Sequence, residues 1–237
     1  MEIIPAIDII NGKCVRLVQG NYDECTVYSE NPLVIAKQFE EEGFKRLHLV
    51  DLDGAKSGKV ININILKEIC NNTSLKVDFS GGIKSDSELS RVFDAGAAFA
   101  GIGSLAYTDR EQVEKWLITY GEKIIVGADV FNGKIAIHGW KTVTDITIDE
   151  LIGWYIGYLQ NLICTDISKD GMLQGASVEL YRNLSEKYSG INIIASGGIG
   201  NIDDVKAVAQ TGVSGLIIGK AISERKITLS ELKPYLC

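Results

Sequence analysis

Residues 8–13 read DIINGK, and residues 129–134 read DVFNGK. Each phrase begins where an apolar run ends at an aspartate, and each continues into an Asn-Gly turn followed by a lysine. An apolar run that stops at an acid and then turns is typical of a buried strand that presents a carboxylate at the rim of a sheet. The two phrases therefore predict two strand ends, each carrying one acid: Asp8 and Asp129.

Other landmarks of the first half of the chain recur in the second. At a spacing of about 116 residues, the matches are Asp51 with Asp166, residues 80–83 (SGGI) with residues 196–199 (SGGI), Gly96 with Gly212, and Gly103 with Gly219. A period this long is too large for a solenoid. The repeat therefore predicts two duplicated half-barrels that close on each other.

Strand-like apolar runs alternate with helical patterns along the whole chain. The predicted strands cover residues 2–9, 47–54 (with the following loop), 75–79, 98–102, 124–130, 162–167, 191–195 and 215–218, and further extended runs are predicted at residues 13–18 and 135–140. Near-continuous apolar strands separated by helices indicate an α/β fold with a parallel sheet buried on both faces. These units could form an open sheet, but the repeat favours a closed (β/α)8 TIM barrel, with one domain over residues 1–237.

The composition is that of an ordinary globular protein, with 46% hydrophobic and 23% charged residues. The net charge of −7 argues against nucleic acid or an anionic membrane as a partner. Five cysteines without a Cys-x-x-Cys pair, and only two histidines, argue against a disulfide framework or a metal site. Without a secretory signal or a membrane-length apolar run, we expect a cytoplasmic protein with no cofactor and no obligate protein partner.

Glycines follow four of the predicted strands, at the barrel end where such enzymes carry their active sites. Glycine lets the backbone approach an anion closely, and a helix N-terminus adds its dipole. A tight turn would explain one glycine pair, but two equivalent sets predict two phosphate sites and a substrate with a phosphate at each end. The predicted phosphate-binding residues are Gly81, Gly82, Gly103, Ser104, Gly197, Gly198, Gly219 and Lys220.

Asp8 and Asp129 together predict general acid–base catalysis, because a carboxylate pair supplies both functions when its environment separates the two pKa values. Since the duplication makes the two phrases alike, spacing does not assign the acid and the base. Trp140 is either a core aromatic or a ring that stacks on a planar heterocycle. His48 alone would be a structural histidine, and Arg16 is either a surface charge or a phosphate contact.

Several phrases resemble the histidine-biosynthesis isomerase family that acts on phosphoribosylformimino-5-aminoimidazole carboxamide ribotide. The similar stretches are residues 5–8 (PAID), 12–13 (GK), 15–17 (VRL), 19–20 (QG), 48–55 (HLVDLDGA), 139–140 (GW) and 165–171 (TDISKDG). The resemblance covers the chain from end to end. Ser80 and Lys84 stand where the family usually has Gly and Arg, and neither departure touches the two aspartates.

The resemblance implies an Amadori rearrangement of a bis-phosphorylated aminoaldose ribotide into an aminoketose. It implies that Asp8 accepts a proton from C2 of the sugar and that Asp129 donates the proton that opens the furanose ring. The positions expected to bind the substrate are Arg16, His48, Asp51, Trp140, Thr165, Asp166 and Gly171.

Three other functions fit much of the same pattern. The sister cyclase of the pathway is also a duplicated barrel with two strand-end aspartates, although residues 5–8 and 139–140 favour the isomerase. An isomerase that also serves tryptophan synthesis would accept phosphoribosyl anthranilate as well. A barrel that only binds phosphorylated ligands would not need its two aspartates, which are intact.

Overall fold

The computed structural model describes residues 1–18 and 20–236, so Gln19 of the QG phrase and Cys237 lie outside the described residues. The strands in chain order are β1 (Glu2–Ile10), β2 (Lys13–Val18), β3 (Asn21–Ser29), β4 (Arg46–Asp51), β5 (Lys76–Ser80), β6 (Phe99–Ile102), β7 (Ile124–Phe131), β8 (Lys134–Ile137), β9 (Thr142–Thr147), β10 (Asn161–Asp166), β11 (Asn192–Ser196) and β12 (Gly215–Ile218).

Eight of these strands pair side by side in parallel and close into a ring. The order around the ring is β1, β4, β5, β6, β7, β10, β11 and β12. The ring closes where β12 returns to β1, with Gly215 opposite Glu2 and Ile218 opposite Pro5. The TIM barrel predicted from the internal repeat is therefore confirmed.

Two barrel strands continue into antiparallel hairpins. β1 pairs with β2 and β7 pairs with β8, so that Asp8 lies opposite Val15 and Asp129 lies opposite Ala136. The Asn and Gly of both turns have positive φ angles, 50° and 78° in the first hairpin and 50° and 80° in the second. This is the type I′ turn that Asn-Gly favours, because both central residues need a positive φ. The two turns thus place Asp8 and Asp129 at equivalent positions.

Helices surround the ring. They are α1 (Pro32–Glu41), α2 (Leu52–Ser57), α3 (Ile63–Asn72), α4 (Asp86–Asp94), α5 (Leu105–Thr108), α6 (Arg110–Tyr120), α7 (Ile148–Tyr155), α8 (Val178–Lys187), α9 (Ile202–Ala209), α10 (Lys220–Ser223) and α11 (Leu229–Leu232). Polar caps fix several helix starts. The Asn31 side chain caps α1, and Thr147 forms a capping box with Glu150 at the start of α7.

Apolar side chains fill two layers. The larger layer lies between strands and helices and contains Leu47, Phe79 and Trp116, all essentially inaccessible to solvent. The smaller layer consists of Ile4, Ala6, Ile125, Ile163, Ile194 and Ile217. Because β1 and β7 are not neighbours in the ring, side chains from both can meet only across the barrel axis, so this layer is the barrel interior.

Four elements differ from the sequence-based expectation. The strands β3 and β9 form the outer arms of the two hairpins, and the short helices α2 and α5 lie in βα loops. β3 is mostly exposed, so its sequence lacks the apolar alternation that signals a strand.

The cysteines Cys14, Cys25, Cys70 and Cys164 are free. Within residues 1–18 and 20–236, every helix is too short or too polar to cross a membrane.

Candidate active site

Asp8 and Asp129 lie on opposite sides of the barrel. Three strands separate β1 from β7 in either direction around the ring, and both aspartates are near the C-terminal ends of their strands. Because parallel strands end at one rim, the two carboxylates border the same mouth. Both also raise the pKa of Asp170, which shows that the three carboxylates are close enough to interact.

Asp8 is paired with Arg16 from the first hairpin. Arg16 Nη1 donates to Asp8 Oδ2 at 2.6 Å, and Nη2 donates to the Ala6 carbonyl at 2.6 Å. Arg16 Nε donates to Ser223 Oγ at 3.3 Å, and a Cβ added to Gly219 would lie 3.0 Å from the Arg16 guanidinium carbon. Arg16 therefore links Asp8 to the predicted phosphate turn after β12 and is not a free surface charge.

Asp129 receives hydrogen bonds from Trp140 and Thr165. Trp140 Nε1 donates to Asp129 Oδ2 at 2.8 Å, and Thr165, which faces Asp129 in the β7–β10 register, donates its hydroxyl. Burial raises the pKa of Asp129 above its ordinary value, and these hydrogen bonds, together with nearby His48, only partly oppose that rise. A carboxyl group with a raised pKa is suited to donate a proton.

Trp140 lies in the connection between β8 and β9 and reaches across the mouth. Its backbone is left-handed, with a φ of 69°. Its ring lies against Gly20, where an added Cβ would be 2.9 Å from Trp140 Cε3. Gly20 belongs to the turn between β2 and β3, so the indole joins the hairpins of the two halves. This partly exposed position fits a ring above a bound ligand better than a core aromatic.

The glycine pairs after β5 and β11 form similar turns at opposite places in the ring. Their φ angles are 104° at Gly81, 85° at Gly82, 97° at Gly197 and 86° at Gly198. A Cβ on Gly81 would lie 2.1 Å from the Asp51 carbonyl oxygen, and one on Gly197 would lie 3.0 Å from that of Asp166. Both turns therefore require glycine for backbone conformation and for packing against the preceding loop.

The turns after β6 and β12 differ in detail. A Cβ on Gly103 would meet open space, and the Ser104 hydroxyl accepts a hydrogen bond from the His138 backbone N–H at 2.9 Å. On the opposite side, Lys220 Nζ donates to the Gly171 carbonyl at 2.7 Å. The first turn leaves room for an anion, and the second places a cation next to the loop that follows β10.

Asp51 and Asp166 both hold the loops that follow their own strands. Asp51 is fully buried, and its oxygens accept four hydrogen bonds, from Gly54 N, Ile61 N, Asn62 N and Asn62 Nδ2. Asp166 accepts from Ser168 N at 3.0 Å, from Ser168 Oγ at 2.6 Å and from the Ser177 hydroxyl. Both carboxylates accept hydrogen bonds from groups of the protein itself, so their structural role is to fix the loops around the mouth.

Asp170 is a candidate site residue that sequence reasoning misses. Burial raises its pKa to about 6, the charges of Asp8 and Asp129 add to the rise, and Arg16 and Lys220 oppose it. The only sequence signal for Asp170 is its place in the phrase TDISKDG, which also contains predicted residues. Its raised pKa makes it a second group that can hold a proton near neutral pH.

His48 lies in the barrel interior, where its Nδ1 bonds the Asp78 carboxylate. In the described part of the chain, no group of three or more His, Cys, Asp or Glu side chains is arranged to bind a metal ion. The site thus combines three carboxylates, of which Asp129 and Asp170 have raised pKa values, with an aromatic ring and two sets of glycine-containing turns. This arrangement can bind a doubly anionic ligand and move protons on it.

The sequence matches the family described as "Histidine biosynthesis protein" over residues 2–228. Among similar proteins, one from Bacteroides thetaiotaomicron is 51% identical, with 100% of both chains covered. One from Flavobacterium johnsoniae is 50% identical, covering 100% of this chain and 99% of its own, and one from Cytophaga hutchinsonii is 47% identical with 99% of each covered. All three are named 1-(5-phosphoribosyl)-5-((5-phosphoribosylamino)methylideneamino) imidazole-4-carboxamide isomerase. The family resemblance inferred from the sequence is confirmed.

Proposed function

The chain belongs to the histidine biosynthesis protein family, and from this premise we propose that it is the isomerase for which its relatives are named. The reaction converts a bis-phosphorylated ribosylamino imidazole carboxamide, an aminoaldose, into its ribulosyl form, an aminoketose. The observation that carries the proposal is the pair Asp8 and Asp129 on opposite sides of one mouth. It occurs in a chain that is 51% identical to such an isomerase over its full length.

The two glycine-rich turn sets would bind the two phosphates of this substrate. They follow β5 and β6 on one side and β11 and β12 on the other, so a ligand bound at both must cross the mouth. Such a ligand would hold its ribose between Asp8 and Asp129. Binding at both ends places the reacting carbons near the carboxylates, which is how positioning accelerates a reaction.

The first chemical step is opening of the furanose ring. An acid protonates the ring oxygen, the bond from C1 to that oxygen breaks, and C1 becomes a Schiff base with the amino nitrogen. We assign the proton to Asp129, because burial raises the pKa of Asp129. Asp170, with a pKa of about 6, is a second group able to supply it from the same mouth.

The second step moves a proton from C2 to C1. A base removes the C2 proton to give an enolamine, and that proton returns to C1. The C2 hydroxyl becomes a carbonyl as it gives its own proton to the carboxylate that opened the ring, which restores the acid. Asp8 is the proposed base, because its carboxylate is ion-paired with the Arg16 guanidinium at 2.6 Å. The same ion pair fixes the direction in which the Asp8 carboxylate faces.

Other residues would position these groups. Trp140 would cover the substrate and exclude water, while its N–H and the Thr165 hydroxyl orient Asp129. Asp51 and Asp166 would position the substrate indirectly, by fixing the loops that follow their strands. We also propose a cytoplasmic location, which the free thiols of the described cysteines support.

The test is an assay with the aldose ribotide in the absence of ammonia. We expect conversion to the ribulosyl form, followed spectrophotometrically, and loss of about 10²-fold or more in kcat for Asp8→Asn and for Asp129→Asn. A cyclised product, obtained only with ammonia and the ketose, would identify the cyclase instead. Turnover of phosphoribosyl anthranilate would show a second substrate. Binding of a ribotide without any turnover would reject the proposal that the protein is an enzyme.

A further inference from the structure

A charged cluster lies inside the barrel beneath the mouth. Asp78 of β5 is fully buried, and its carboxylate accepts a hydrogen bond from Arg46 Nε at 2.9 Å and bonds His48 Nδ1. Arg46 is also buried, stacks on the Phe99 ring at 4.4 Å, and has an Nη2 atom without a hydrogen-bond partner. Burying charged groups costs free energy, and apolar residues of similar volume often stabilise a protein equally well or better. A buried charged cluster is therefore better explained by a function than by stability.

The second half of the barrel does without such a cluster. His48 and Asp78 are the third residues of β4 and β5 and lie opposite each other in the register. The third residues of the matching strands β10 and β11 are Ile163 and Ile194, which are also paired. Since two isoleucines fill the equivalent space, packing does not require the charged pair. The asymmetry therefore points to a function of the cluster on one side of the mouth.

The cluster runs from the interior of the barrel to the site. The His48 side chain is 13% exposed whereas that of Asp78 is 0% exposed, so the imidazole is the more accessible member of the pair. His48 also interacts electrostatically with Asp129 on β7, three strands along the ring. With Nδ1 bonded to Asp78, Nε2 is the ring nitrogen that remains for a ligand.

We propose that Asp78 is a positioning residue that keeps the proton on Nδ1 of His48 and so presents Nε2 to the substrate beside Asp129. Arg46 holds the Asp78 carboxylate in place from below. This inference rests on the proposed isomerase function for its role in turnover, but not for its effect on the imidazole. Asp78 on β5 and Asp129 on β7 are the charged groups that interact with the ring, and Arg46 on its own strand pairs with Asp78.

Nitrogen-15 NMR of histidine-labelled full-length protein tests the proposal directly, because the chain has only two histidines. The His138→Asn variant identifies the His48 signals. In the neutral ring of the native protein we expect the proton to be on Nδ1 and Nε2 to be unprotonated. In Asp78→Asn we expect the proton to be shared between both nitrogens, with kcat lowered at least about tenfold and KM changed less.

Two further variants separate positioning from loss of structure. Asp94→Asn changes an exposed aspartate at the end of α4 and serves as the matched control. The double variant Arg46→Asn with Asp78→Ile copies Asn161 and Ile194 of the other half and removes both buried charges. Glu2, which lies 3.7 Å from Arg46 and is 43% exposed, then loses its ion pair but stays accessible to water. We expect this variant to fold, to retain His48 and to show the same tautomer change and loss of kcat.

An unchanged His48 tautomer in Asp78→Asn or in the double variant would overturn the proposal, even if activity fell. A kcat within twofold of Asp94→Asn would overturn it as well. If the native chain showed no isomerase activity, the proposed function would fail while the NMR result still decided whether Asp78 fixes the imidazole.

Discussion

Trp140 donates its indole N–H to Asp129 at 2.8 Å while the same ring lies against Gly20 of the other hairpin. One side chain thus connects the proposed acid of the second half to a loop of the first half. Because this hydrogen bond lowers the pKa of Asp129, any movement of the indole changes how firmly that carboxyl holds its proton. Loop position and proton donation are therefore coupled.

Replacing Trp140 with phenylalanine removes this hydrogen bond and keeps an aromatic ring. The pKa of Asp129, already raised by burial, should rise further, because one of the groups that stabilise its charged form is lost. If protonated Asp129 is the acid, the alkaline limb of the kcat profile should move up by about one pH unit. A pH–rate profile measures this. An unmoved alkaline limb would assign the acid to another group, with Asp170 the first to examine.

Gly20→Ala should disturb the site through Trp140. Gly20 has a φ of 71°, and its new methyl group would lie 2.9 Å from the indole. Gly133→Ala is the matched control, because Gly133 has a similar φ of 80° but no atom within 4 Å of the added Cβ. Both should lose about 1 kcal/mol of stability in denaturant titrations. Only Gly20→Ala should lower kcat/KM about tenfold or more; equal kinetics in the two variants would contradict the contact.

Asp170→Asn should make the protein more stable at neutral pH. The pKa of Asp170 rises from 3.8 to about 6 on folding, so the folded protein holds this proton more tightly than the unfolded chain. The free energy of unfolding therefore falls as pH rises through that window, and the asparagine variant avoids this loss. We expect a gain of up to about 3 kcal/mol at pH 7.5 that disappears below pH 4.

Chemical denaturation of both proteins across this pH range measures the difference. A gain that is independent of pH would attribute it to packing, and a loss at pH 7.5 would show that the ionised carboxylate is well accommodated. The isomerase assay on the same variant reports whether stability is exchanged for activity.

Gly103→Ala should weaken substrate binding without harming the fold. A Cβ at Gly103 would meet open space at the mouth, where one phosphate is proposed to bind. We expect KM to rise about tenfold, because the methyl group occupies the place of the anion, and thermal stability to stay the same or increase slightly. Gly153→Ala, in α7 and also without close neighbours, is the control. A KM equal to that of the control would place the phosphate elsewhere.

Most of what the sequence predicts about the fold comes from the internal repeat. Asn-Gly at positions 11–12 and 132–133 specifies the hairpin turn by its need for positive φ, so local sequence alone was informative there. The exposed arm β3 carries no comparable local signal, because its pairing with β2 is decided by the hairpin and not by burial.

The roles of site residues were harder to predict, because they depend on tertiary neighbours. Asp51 and Asp8 both follow apolar runs, yet Asp51 is enclosed by its own loop while Asp8 meets Arg16 at the mouth. Asp170 stands in a polar loop, and its place in the phrase TDISKDG does not show that folding buries it near two other carboxylates. The spacing of residues along the chain does not show which distant side chains come together in the folded protein.

The seam between β1 and β12 has a consequence for biosynthesis. Ile3 and Ile4 of β1 pair with Leu216 and Ile217, which leave the ribosome almost a full chain length later. Until then, one edge of the first strand offers unpaired N–H and C=O groups flanked by isoleucines, a template for adhesion to other nascent chains. Closure of the ring is thus also the event that ends this exposure, and slow translation of the last strand should increase the demand for chaperones.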